Sequence, residues 1–116
     1  MDIVLILKIA AALATVATGV LAFGKPSAAY AFIGLNPNGV RGVSEIRAIF
    51  GGLFIALGVV PFFLGQTAYL VLGIVYLGIA AARAFSIVYD KSYAQSNIIS
   101  LLIEIVFGAI LVIGGD

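Results

Sequence analysis

AIFGGLFIALGVVPFFLGQTAYLVLGIVYLGIAAA, residues 48–82, runs without one charged side chain. About twenty helical residues cross roughly 30 Å of hydrocarbon, so this stretch is too long for one crossing and suits two. Gly65-Gln66-Thr67 interrupts it near its middle and marks a tight turn between two helices. Pro61 removes a backbone donor just before that turn and is expected to kink the first of the pair.

Outward from this hairpin, a second apolar run extends from Ile3 to Phe23 with Lys8 as its only charge. Ser27-Ala28-Ala29 supplies small residues of the kind found at signal cleavage sites, but Asp2 spoils a basic leader, so the run is read as a helix that stays. On the other side, the polar stretch Tyr89 to Ser96 precedes a last apolar run, Asn97 to Ile113. Four spanning helices are expected, at about 3–23, 44–64, 67–88 and 97–113. They make residues 1–116 one all-α domain, an integral membrane antiparallel four-helix bundle. The one long connection, Gly24 to Ser44, carries Pro26 followed by Ala28, Tyr30, Phe32 and Ile33. That pattern predicts a short helix near 27–34, lying at the membrane interface and ended by Gly34. Asn36-Pro37-Asn38-Gly39 then signals a turn.

Composition agrees with this reading. The chain is 64% hydrophobic and 9% charged, against about a quarter charged in soluble domains. Mean hydropathy is +1.28. Cys, His and Trp are absent, which removes thiol chemistry, imidazole ligation and Ser-His-Asp catalysis. No catalytic set, metal site or cofactor is therefore expected. A net charge of +1 without a basic run argues against a nucleic-acid partner.

Small residues at spacing four predict where helices touch: Ala14, Thr18 and Ala22; Ala48, Gly52 and Ala56; Gly78, Ala82 and Ser86. Lys25, Arg41, Arg47, Arg83 and Lys91 collect at one end of the bundle, whereas the other end has Lys8, read as a snorkelling side chain. The positive-inside rule makes the first end cytoplasmic and puts both chain ends outside.

Glu45, Arg47, Arg83, Asp90 and Glu104 form the candidate charged cluster, all in the cytoplasmic third. Glu104 is the most telling. It stands seven residues beyond Asn97, roughly 10 Å along a helix at ~1.5 Å per residue, too deep for a short carboxylate stem to reach water. Arg83 stands level with it across the 89–96 turn. Ser96, Ser100, Glu104 and Gly108 share one stripe, and Tyr69, Tyr76, Arg83 and Asp90 repeat at seven. Two readings follow: an Arg83–Glu104 pair that fixes helix register, or a polar pocket that binds an anionic group or passes a proton.

Glu45-Ile-Arg-Ala-Ile-Phe-Gly-Gly52, then Arg83-Ala-Phe-Ser86, Asp90 and Glu104, resembles a family of small four-helix bacterial membrane proteins catalogued as domain of unknown function 4345. That family's pattern is Glu-x-Arg-x-x-Tyr-Gly-Gly, Arg-x-x-Ser with a following Asp-Gly, and a Glu in the last helix. Phe50 stands for its Tyr and Lys91 for its Gly. The resemblance implies a four-helix fold and a shared charged cluster, and no reaction.

The leading functional expectation is a non-enzymatic protein of the bacterial cytoplasmic membrane: an accessory or assembly subunit of a larger membrane complex, or a homo-oligomer. Its partners would be membrane lipids and other membrane proteins or copies of itself. The alternatives are a small transporter or channel using Glu104 and Arg83, and a lipid, quinone or pigment binding module.

Overall fold

A computed structural model describes residues 2–114. They form five helical segments: α1 (Ile3–Gly24), α2 (Pro26–Ile33), α3 (Gly39–Leu64), α4 (Gln66–Tyr89) and α5 (Gln95–Val112). No strand occurs among the described residues. All but α2 are long and apolar enough to cross a membrane.

The ends of these helices follow from local chemistry. The Asp2 carboxylate accepts from the Val4 amide at 3.3 Å and caps α1. Pro26 opens α2, where a missing N–H costs nothing, and Gly34 closes it at φ 80°. Gly65, at φ 72°, turns the chain between α3 and α4. The expected short helix at 27–34 is thus present, one residue earlier.

Two helix starts differ from expectation by more than one residue. α3 begins at Gly39 rather than Ser44, because Gly39 takes the left-handed turn (φ 73°) and helix starts at once. An exposed Arg41–Glu45 ion pair, spaced i,i+4, supports this added turn and a half. α5 begins at Gln95, two residues early, and ends at Val112. Within α3, residues Ile46–Leu53 wind with the wider π-helical repeat before α-helix resumes at Phe54. The winding is interrupted again at Val60, before Pro61.

Glycines decide which helices lie closest. A Cβ on Gly19 would stand 2.8 Å from the Gly51 carbonyl and from Ile55, and one on Gly58 would stand 2.8 Å from the Ala12 carbonyl. α1 and α3 are therefore in backbone contact. α4 and α5 make the same kind of contact: Gly73 faces Leu111 and Val112, and Gly108 faces Leu77. Residue numbers fall along one member of each pair as they rise along the other. The expected packing faces of α3 and α4 were misplaced, whereas Ala22 of the α1 set is buried and Ala14 half-buried. Gly78 has nothing within 4 Å of its would-be Cβ, Gly52 meets only its own helix, and Ala48, Ala56 and Ala82 are exposed. Spacing four occurs on several sides of helices this rich in Gly and Ala, so it cannot choose a side.

The two close pairs meet through side chains, large ones from α4 and α5 against alanines of α1. Ala11 and Ala12 of α1, Tyr69, Leu72 and Tyr76 of α4, and Leu111 of α5 form the core of this seam. Among the described residues no glycine brings α1 or α3 against α4 or α5, so the seam is the looser boundary. α2 folds back against α1 and α5 over one end of it.

Candidate functional site

Arg83 comes from the last third of α4, Asn97 from the first turn of α5 and Glu104 from its middle. The guanidinium grips the carboxylate with two bonds: Nε donates to Oε1 at 2.8 Å and Nη2 to Oε2 at 2.7 Å. Its Nη1 donates to Asn97 Oδ1 at 2.8 Å. Asn97 in turn donates from Nδ2 to the Ser92 carbonyl at 3.1 Å and its hydroxyl at 3.0 Å. The network therefore runs from α4 through α5 into the turn between them. The Glu104 side chain is 9% exposed and that of Arg83 29%. Fork-on-fork pairing is what lets two such charges sit together away from water.

This pair is not packed over. It forms part of the wall of a cavity of about 300 Å³ in the seam beneath α2. Leu21, Phe32, Ile33, Leu35, Phe50 and Phe54 supply the apolar wall, and Ala22, Ala28 and Ala29 keep it open by being small. Thr18 and Ser100 are the other polar residues on it. Thr18 gives its proton to the Ala14 carbonyl at 2.9 Å, whereas the Ser100 hydroxyl has no protein partner among the described residues. A few polar groups converging in an apolar hollow is the usual form of a small-molecule site.

Of the five residues expected to cluster, only Arg83 and Glu104 meet. Glu45 is exposed and pairs with Arg41. Asp90 is exposed and accepts from the Ser86 hydroxyl at 2.7 Å. Arg47 is exposed, has no ion-pair partner among the described residues, and lines a separate shallow groove with Ser44 and Phe23. The cluster is thus one buried pair and three surface charges at the same end.

Lys8 requires a larger correction. It does not snorkel: it is 0% exposed. Its ammonium donates to Gln66 Oε1 at 2.9 Å and to the Ile113 carbonyl at 2.6 Å. The carbonyls at a helix end carry partial negative charge, so a buried cation there is well placed. Midway, the Tyr76 and Thr15 hydroxyls meet at 2.5 Å in the core, and Thr15 also donates to the Ala11 carbonyl. Asn97, Thr15 and Gln66 were not singled out from sequence. Asn97 had a signal, since it lies seven residues before Glu104 and hence on the same face of α5.

A profile of the family described as "Domain of unknown function (DUF4345)" matches residues 3–114, nearly the whole chain, and the chain belongs to that family. No curated protein and no solved structure matches it.

Proposed function

We propose that this member of the family is a non-enzymatic integral membrane protein, an antiparallel four-helix bundle that holds one small amphipathic molecule in the cavity under α2. The observation that carries this reading is the exposure of the Arg83–Glu104 pair to that cavity. An ion pair serving only helix register is best buried under apolar side chains, because open space beside it forfeits packing. Here three alanines stand where larger residues would fill the hollow. An accessory-subunit role is compatible with binding, but it draws on composition alone.

The transporter alternative is the weaker one. The polar groups around Lys8 and Gln66 are separated from the cavity by Ala11, Ala12, Leu72 and Leu111, each at most 2% exposed. Ions and protons need polar groups or water along the way, and this segment of the seam supplies mostly hydrocarbon.

Purification from native membranes in mild detergent, followed by solvent extraction and mass spectrometry, tests the proposal. A co-purifying amphiphile should be present in fixed ratio and lost in Ala28→Phe, which fills the cavity from α2. Retention of the same molecule by that variant would refute the site.

A further inference from the structure

Resting on that reading, we infer that the molecule held in the cavity is an uncharged amphiphile whose head carries a hydroxyl group, donating to Glu104 and accepting from Arg83 or Ser100. Among the described residues, Arg83 and Glu104 are the only charged ones on the wall, and they neutralise one another. A ligand with a net charge would enter this apolar hollow without a counter-ion, and an anion would also face the Glu104 carboxylate. The site therefore excludes the anionic group that the sequence alone left open.

Hydrogen-bonding capacity narrows the head further. A guanidinium has five N–H donors, and Arg83 uses three of them, on Nε, Nη1 and Nη2. Each Glu104 oxygen accepts one bond from Arg83 and keeps a further lone pair. Ser100 adds a hydroxyl with no protein partner among the described residues. The wall thus offers donors and acceptors together. A hydroxyl answers both, whereas an ether or ketone leaves the carboxylate unanswered. Size sets the body: about 300 Å³ holds a ring or a short run of methylenes, not two acyl chains, so any longer tail leaves the cavity.

The chain has no tryptophan, so Phe50→Trp places a single fluorophore on the cavity wall, and Phe63→Trp, at a residue 80% exposed and off that wall, reports bulk lipid. The full chain in phosphatidylcholine nanodiscs is titrated with probes brominated near the head: a fatty alcohol, an alkylphenol, the methyl ether of the alcohol, and the matching alkyl sulfate. One or both hydroxyl probes should quench Phe50→Trp saturably beyond the Phe63→Trp control, the alcohol alone marking an aliphatic source and the phenol alone a ring. Ether and sulfate should bind at least about tenfold more weakly, the equivalent of one lost hydrogen bond to a charged group. Ether binding equal to that of the alcohol, or tighter sulfate binding, overturns the hydroxyl assignment while leaving the cavity as a site. No probe exceeding the control overturns both readings.

Discussion

Arg83 and Glu104 are joined by two parallel hydrogen bonds of 2.8 and 2.7 Å, and the third bond of Arg83, to Asn97, ties the pair to the α4–α5 turn. Removing one partner strands the other away from water. Arg83→Ala should cost about 3 kcal/mol, the lower end for a broken buried pair, because Arg83 keeps some exposure. Glu104→Gln should cost less, since the amide oxygen still accepts. Arg83→Leu combined with Glu104→Leu should regain much of the loss. Equilibrium unfolding in mixed detergent checks the order, and a double variant as unstable as Arg83→Ala would contradict it.

Asn97 makes the network continuous. Its amide accepts from Arg83 and donates twice to Ser92, so Asn97→Ala removes a bond to a charged group and frees the turn. A loss of about 1–3 kcal/mol is expected. Asn97→Asp should hurt less, because the carboxylate still accepts from the guanidinium. Equal losses in the two variants would show that Ser92, not Arg83, is the partner that matters.

Gly73 and Gly78 share a helix and should respond oppositely. A Cβ on Gly73 would lie 2.8 Å from Leu111 Cβ and 3.0 Å from the Val112 amide nitrogen, so Gly73→Ala must push α4 from α5. Overpacking of this kind costs about 1–3 kcal/mol. Gly78→Ala meets open space and should be neutral or stabilising by up to about 1 kcal/mol through helix propensity. Thermal unfolding in detergent separates them, and similar melting temperatures would remove the α4–α5 contact.

How far these features could be read in advance depends on where their causes lie. The four long helices follow from hydropathy summed over twenty residues, which needs no knowledge of neighbours. Arg83 and Glu104 were legible because both are costly and short loops set their level. Asn97 shares a face with Glu104 at spacing seven, but a polar residue beginning a helix is ordinarily a cap, which masks that signal. The π-wound Ile46–Leu53 segment carries no residue spacing that announces the wider repeat, and it is Gly51 rather than Gly52 that packs on α1. The cavity depends on α2 folding back, which no spacing encodes.

Lys8 shows the same limit and supplies a test. Snorkelling is the default for a lysine near a helix end, and what buries this one is the distant carboxyl end of α5 reaching its ammonium. Lys8→Met keeps the stem and removes the charge. It should destabilise by about 2 kcal/mol, because Gln66 and the Ile113 carbonyl lose a charged donor. Unfolding titration checks this, and an unchanged midpoint would make Lys8 a passive residue.

Burial of Lys8 also sharpens the expected orientation. With it withdrawn into the core, Lys25, Arg41, Arg47 and Lys91 are all exposed, and all lie at the end formed by the α1–α3 and α4–α5 connections. By the positive-inside rule that end is expected in the cytoplasm. The carboxyl end is then expected outside; its last two residues, Gly115 and Asp116, fall beyond the described residues. A phosphatase that folds only outside the cytoplasm should be active when fused after residue 116, and a fluorescent protein that matures only inside should stay dark there. Replacing Arg41, Arg47 and Lys91 by Gln should give mixed orientations, because the remaining bias is one lysine. A bright fluorescent fusion on the unaltered chain would reverse the assignment and turn the Arg83–Glu104 cavity toward the outer leaflet.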